Sequence, residues 1–373
     1  MRVLHIFSNP SLNHGASIFE YRISGFLKEK DIFFDYLVTQ EPAEDDLKRY
    51  SEMGSKVYQL PIDQKHGLLL RELKINREYY RFFKEHPYTI VYADTENSLR
   101  AIHLWMARLA GVPVRVVHSH NTSLQTTSNA SKTLSRILRN IFQISATHYF
   151  ACSDLAAKWL FPSSIYRKRK YHILKNGIDL EEFSFRENIR DRIRSELKIS
   201  EKEFVVGHIG RYMPQKNHKF IVEIFQSLLQ ICDDVKLLLI GDGPLKNDIS
   251  KNIDALGISE KIIMISKASN VKDYYQAMDL FLMPSLYEGL PITGIEAQAS
   301  GLPCVFSDTI TKELKITELA NFMGLENGEN EWATLIMRFK DQKRIDTRAA
   351  LKKNGYSIQE TASYLERFYV NCI

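Results

Sequence analysis

Two carboxylates eight positions apart, Glu288 and Glu296, lie in the stretch PSLYEGLPITGIEAQASG from Pro284 to Gly301. A short apolar run, Leu280–Met283, precedes them and reads as a buried parallel strand. Between the acids, Gly289-Leu290-Pro291 is a turn that bares backbone N–H groups and cannot start as ordinary helix. The spacing of Ile292, Ile295 and Ala299 then predicts a helix whose N-terminus points back at that loop. Glu288 is thus expected at a strand's carboxyl end and Glu296 about one turn into the helix. Two acceptors and a partly positive helix end around one crevice suit a ligand with hydroxyls to be read and phosphates to be held. A sugar nucleotide has both.

Three more groups sit where such a ligand needs them. In GRYMPQKN, Gly210-Arg211 closes the predicted strand Phe204–Ile209, and Lys216 follows. Arginine offers a planar fork for paired phosphate oxygens and lysine a mobile point charge, so a diphosphate is held without a metal. His118-Ser119-His120-Asn121 is predicted to leave the carboxyl end of the strand Val114–Val117. An imidazole there donates to a sugar hydroxyl or accepts from an incoming nucleophile, and His118 and His120 both qualify. At the start of the chain, Val3–Phe7 reads as a strand, Asn9–Gly15 as a turn-rich loop and Ala16–Lys30 as a helix, the opening of a dinucleotide-type fold.

Glu288, seven intervening residues and Glu296 together resemble the EX7E signature of retaining glycosyltransferases of the GT-B fold, family 4. The continuation AQASGLPCVFSD is similar to members that build bacterial capsular or exopolysaccharide chains. GRYMPQKN resembles the family's G-R-x4-K loop, Gly241-Asp242-Gly243-Pro244 its GDGP turn, and Asn176–Asp179 its domain junction. NHGASIFE resembles its first glycine-rich loop, with Gly15 glycine and Ala16 in the second glycine's place.

The resemblance implies an α/β GT-B fold of two doubly wound Rossmann-like domains facing a cleft. Residues 1–180 would bind the acceptor, 181–355 the nucleotide sugar, and 356–373 would form a helix packing back on the first domain. It implies that Arg211 and Lys216 meet the leaving diphosphate, that Glu296 accepts from the ribose, and that Glu288 holds the transferred sugar. His118, with His120 its close rival, would lie beside that sugar. Gly15, Gly241, Gly289, Leu290 and Pro291 belong to the donor site on the same ground. The donor is then a nucleotide diphosphate sugar, UDP being the usual carrier in similar proteins with GDP still open. The acceptor is expected to be a lipid-linked oligosaccharide, with no cofactor and no metal. No Asp-x-Asp pair occurs in the sequence, which argues against the other common glycosyltransferase fold and its divalent cation. A sugar-nucleotide epimerase on the same fold and an inactive sugar-nucleotide-binding scaffold are the competing readings. Nucleic acid is not an expected partner, since no recognisable module is present.

The elements that must position these residues follow from the rest of the chain. Its 373 residues exceed the usual single-domain size, so two domains are expected. Further strands are predicted at Phe33–Val38, Val57–Leu60, Ile90–Ala93, Tyr149–Ala151, Tyr171–Leu174, Val235–Ile240, Ile262–Ile265 and Leu302–Phe306, with helices between, and 186–203 as a linker carrying a surface helix. That alternation means parallel, doubly wound sheets. No signal peptide and no stretch of about 18 apolar residues is evident. The four cysteines are scattered without metal or disulfide spacing, which fits a reducing cytosol.

Charge is uneven. Residues 1–180 carry 25 Lys and Arg against 17 Asp and Glu, whereas residues 181–373 carry 25 against 28. In the basic half, Ser131–Ile144 is read with Leu134, Ile137, Leu138 and Ile141 on one face beside Lys132, Arg136 and Arg139. Leu68–Lys84 mixes aromatics with basic residues, and Arg167–Lys170 is a short basic run. Such stretches suit the phosphate-rich surface of the cytoplasmic membrane's inner face.

Overall fold

Runs of four to six apolar residues between helical stretches become parallel strands, and the central strands of each sheet are buried with no side left for water. The computed structural model describes all residues but 8–10, 12–14, 62–67, 96–97, 121–128, 267, 269 and 373; of 15–16, 68–71 and 129–132 only the backbone is described. The chain divides into two units, Met1–Ile178 with Gly355–Ile373, and Asp179–Asn354.

The first unit has seven strands: β1 Arg2–Phe7, β2 Phe33–Val38, β3 Val57–Gln59, β4 Ile90–Thr95, β5 Val114–Ser119, β6 His148–Ala151 and β7 His172–Ile173. Their order is β3-β2-β1-β4-β5-β6-β7. The connections run outward in opposite directions from β1 and β4, so the topological switch point lies between these two strands. The second unit repeats the pattern with β8 Phe204–Ile209, β9 Val235–Ile240, β10 Ile262–Ile265, β11 Leu280–Met283, β12 Cys304–Ser307 and β13 Ala320–Met323. Their order is β10-β9-β8-β11-β12-β13, with the switch point between β8 and β11.

The sheet of the first unit is packed on two faces. One face gathers Leu4, Tyr79, Val91, Leu104, Val117 and Phe142, and the other gathers Phe19, Phe34, Tyr36, Tyr92, Phe150 and Tyr369. The last of these comes from the helix Ile358–Asn371, which Ser357 caps by accepting from the Glu360 amide. Ile358, Ala362, Leu365 and Tyr369 form its buried stripe, at the spacing one helix face requires. In the second unit Phe225, Leu237, Leu282 and Trp332 lie in one core.

Several sequence expectations need correction. Strands β4 and β5 run on to Thr95 and Ser119, because Asp94 pairs with His118 and Thr95 with Ser119 in register. His118 is therefore inside a strand, and only His120 lies beyond its end. The strand expected over 171–174 shrinks to His172–Ile173, and β13 was not anticipated. The segment 186–203 is no loose linker. Its helix Glu187–Glu196 is tied to the second unit by Arg190, 2.6 Å from Asp279, and by buried Arg194, 3.2 Å from the same carboxylate.

The helix Asn129–Ser145 does not present the four expected residues on one face. Ser135, Leu138 and Phe142 point inward, whereas Leu134 and Ile137 are 52% and 60% exposed, with Ile144 and Arg136 also outward. Arg139 turns back to the carbonyls of Lys158, Leu160 and Phe161. The Lys132 side chain lies outside the described residues. Among the described residues no helix is long and apolar enough to cross a membrane.

Candidate active site

In the second unit, the loops leaving β8 and β11 meet at the switch point. The first carries Arg211 and Lys216, and the second carries Glu288. Gly241 lets the turn after β9 approach closely: its φ is 146°, and a Cβ there would stand 2.1 Å from the Gly210 carbonyl oxygen. The Asn217 side chain donates to the Pro284 carbonyl at 3.1 Å, and the Leu286 amide donates to the Gln215 carbonyl at 2.9 Å. Behind the second loop, the Ser307 and Thr309 hydroxyls donate to the Ser285 carbonyl.

This stitching sets one ion pair. Lys216 Nζ donates to Glu288 Oε1 at 2.6 Å, with side-chain exposures of 17% and 8%. Gln215 Nε2 lies 3.1 Å from Glu288 Oε2 and 3.0 Å from the Tyr287 carbonyl oxygen. The Arg211 guanidinium is exposed and has no ion-pair partner among the described residues. Gly289 and Leu290 are half-buried, and Pro291 stands at the N-cap of the helix Ile292–Ala299. Glu296, one turn in and 6% exposed, accepts from the Tyr275 hydroxyl at 2.9 Å. The structure thus joins Lys216 to Glu288 and seats Glu296 with a separate partner.

The first unit gathers a second polar group at its own switch point. Asp94 Oδ1 accepts from His120 Nε2 at 2.9 Å, and Asp94 Oδ2 lies 3.1 Å from His5 Nδ1. The Tyr92 hydroxyl is 2.9 Å from His118 Nδ1, and the two histidine rings have centroids 4.0 Å apart. Glu20, from the helix Gly15–Lys28, comes within 3.4 Å of His5. All of these side chains are buried or nearly so.

Their electrostatics diverge. Burial pushes the Asp94 carboxyl up, but hydrogen bonds from His120 and His5 outweigh it and hold it well below the ordinary carboxylate range. For Glu20, burial, then the charge of Asp94 and a hydrogen bond to it, raise the carboxyl well above that range. Burial and neighbouring His120 keep the His118 imidazole neutral, well below the ordinary histidine range. Glu20, Asp94, His118 and His120 each offer one ligand-type atom within 4.8 Å of the others, a donor set a divalent cation accepts. Of the same group, both Glu20 carboxylate oxygens, His118 Nε2 and His120 Nδ1 have no hydrogen-bond partner among the described residues.

Gly15 begins the helix Gly15–Lys28; residues 8–10 and 12–14 before it, and Asn121 after His120, lie outside the described residues. So do Lys267 and Ser269, in the loop before Val271. Sequence reasoning missed Asp94, His5, Glu20, Gln215 and Tyr275. Asp94 carried a usable signal, since it stands near a strand's carboxyl end as the chosen histidines do. His5 carried none, because it sits inside a strand among apolar neighbours, whereas Gln215 stood in plain view beside Lys216 in GRYMPQKN.

Two doubly wound parallel sheets, each with polar groups converging at its switch point, are the two-domain GT-B architecture of glycosyltransferases. Residues 15–182 match the model of Glycosyltransferase Family 4 and residues 189–358 that of Glycosyl transferases group 1. The chain is 32% identical to the "Putative glycosyltransferase EpsF" of Bacillus subtilis (strain 168), over 99% of this chain and 96% of that one. It belongs to glycosyltransferase family 4. It is 24% identical, over 88% of its length and 87% of the relative's, to the Escherichia coli UDP-Gal:alpha-D-GlcNAc-diphosphoundecaprenol alpha-1,3-galactosyltransferase. Among solved structures, Anabaena HepE in complex with UDP-glucose superposes with a TM-score of 0.69 at 17% identity, covering 98% of this chain and 94% of HepE.

Proposed function

We propose that this glycosyltransferase moves a sugar, with retention of configuration, from a UDP-sugar to a lipid-linked oligosaccharide of a growing capsular or exopolysaccharide chain, without a metal ion. The observation that carries the reading is the pair of loops at the β8–β11 switch point, where Lys216 pairs with Glu288 and Arg211 stands exposed on the Lys216 loop. The E. coli relative, whose name specifies a UDP-linked donor and a diphosphoundecaprenol acceptor, supports the choice of both substrates.

In this reading Arg211 and Lys216 bind the diphosphate and stabilise the negative charge that builds on it as it leaves. Glu296 accepts from the ribose hydroxyls while Tyr275 orients its carboxylate. Glu288 accepts from hydroxyls of the transferred sugar, and in the first unit Asp94 anchors His120, whose Nδ1 has no partner among the described residues and can meet a sugar hydroxyl. The acceptor oxygen forms its bond to the anomeric carbon on the face the diphosphate leaves. The bond from that carbon to the diphosphate breaks, and the acceptor's proton passes to a diphosphate oxygen. No side-chain nucleophile is needed.

A thermal-shift panel of UDP-, GDP- and CMP-sugars without added metal tests the reading. A ligand that binds only the folded state at a hundredfold excess over its Kd stabilises by about 2.7 kcal/mol. The expected result is a shift with one UDP-sugar that disappears in Arg211→Ala. Absence of any nucleotide shift would overturn it, and free epimerised nucleotide sugar formed without acceptor would replace it with an epimerase.

A further inference from the structure

We infer that Gln215 is a positioning residue for Glu288, holding that carboxylate in place while Lys216 exchanges it for the donor's diphosphate; this rests on the donor reading above.

Glu288 is held at both oxygens. Lys216 takes Oε1 at 2.6 Å and Gln215 takes Oε2 at 3.1 Å. The same Gln215 amide lies 3.0 Å from the Tyr287 carbonyl. Both partners can only accept, so the Gln215 NH2 group must face them, and the amide orientation follows from chemistry. Its main chain is pinned as well, through the Leu286 amide bond to the Gln215 carbonyl. Gln215 therefore cannot move independently of the loop that bears Glu288.

Lys216 is the only member of this trio that a phosphate would recruit. Its ammonium is a compact charge with three rotatable donors, and the Glu288 carboxylate occupies one of them. A diphosphate arriving there competes with that carboxylate and repels it. Without a second hold, Glu288 would swing away from the sugar it has to read. Gln215 is neutral, so it supplies the second hold without attracting phosphate to itself. Once Lys216 turns to the diphosphate, Oε2 stays on Gln215 and Oε1 is open to a sugar hydroxyl. The ion pair thus keeps the sugar-reading group in register before the donor enters.

This arrangement predicts a split between two ligands that share a diphosphate and differ by the sugar. The purified full chain and its variants would be titrated calorimetrically, without metal, with UDP and with whichever of UDP-glucose, UDP-galactose or UDP-N-acetylglucosamine shifts the native protein. Gln215→Met should weaken the UDP-sugar about tenfold, the size expected for one charge-assisted hydrogen bond, and leave UDP within about twofold. Glu288→Gln should tighten UDP severalfold, because Lys216 loses its competing carboxylate, while narrowing the preference for UDP-sugar over UDP. Gln215→Leu serves if the methionine variant fails to fold. Equal weakening of both ligands by either Gln215 variant, or weaker UDP binding by Glu288→Gln, would overturn the inference and leave the donor reading standing. No nucleotide binding by the native chain would remove both.

Discussion

Asp94 Oδ1 stands 2.9 Å from His120 Nε2, so the buried carboxylate fixes which nitrogen of that ring carries the proton and leaves Nδ1 as the accepting atom. An asparagine keeps the shape but offers an NH2 group as readily as a carbonyl, and can enforce the other tautomer. Asp94→Asn is expected to lower the rate of sugar transfer about 10²-fold and, because the carboxylate also favours folding, to lower the melting temperature at neutral pH. Undiminished turnover in the variant would show that His120 takes no part.

The Glu20–Asp94 pair makes stability depend on pH with a definite sign. As pH rises through the ordinary glutamate range, the unfolded chain loses the Glu20 proton and the folded chain keeps it. Glu20 therefore opposes folding increasingly as pH climbs. Asp94 acts in the opposite sense, favouring folding above the ordinary aspartate range and losing that contribution as pH falls. Glu20→Gln, which keeps the shape without the titration, should match the native melting temperature near pH 4 and exceed it progressively toward pH 7. Each kcal/mol should appear as about 2–4 °C. A difference independent of pH would mean that Glu20 is ionised in the folded chain.

In the proposed reading, Arg211 and Lys216 supply the charge that a divalent cation would otherwise bring to the diphosphate. Extensive dialysis against a chelator is expected to leave donor binding and turnover unchanged. Loss of activity restored by magnesium or manganese would refute metal independence, and Glu20, Asp94, His118 and His120 would be the first ligands to test.

The outward row Leu134, Ile137 and Ile144, with Arg136 beside it, suits the headgroup layer of an anionic bilayer. Sedimentation with vesicles containing about one-third anionic lipid should carry the protein down, and salt should weaken the effect. Leu134→Glu with Ile137→Glu should abolish it without unfolding, since neither side chain is part of the core. A native chain that stays in the supernatant would end the membrane proposal.

Read alone, the residues determined the α/β class, both strand–helix series and the placing of Glu288 and Glu296 in a loop and a following helix. These are local matters. A buried parallel strand shows as an apolar run, a helix as a period of 3.6, and a strand-end turn as glycine or proline. The same local signal misplaced Leu138 beside Leu134 and Ile137, because it cannot say which of two apolar faces the sheet covers. Only the tertiary structure decided that His118 lies within β5 with Tyr92, that His120 rests on Asp94, and that Gln215 shares Glu288 with Lys216. His5 and Asp94 stand 89 positions apart in the chain and 3.1 Å apart in space. Their meeting follows from β1 pairing with β4, and strand pairing is set by the packing of the whole sheet, which no local spacing encodes.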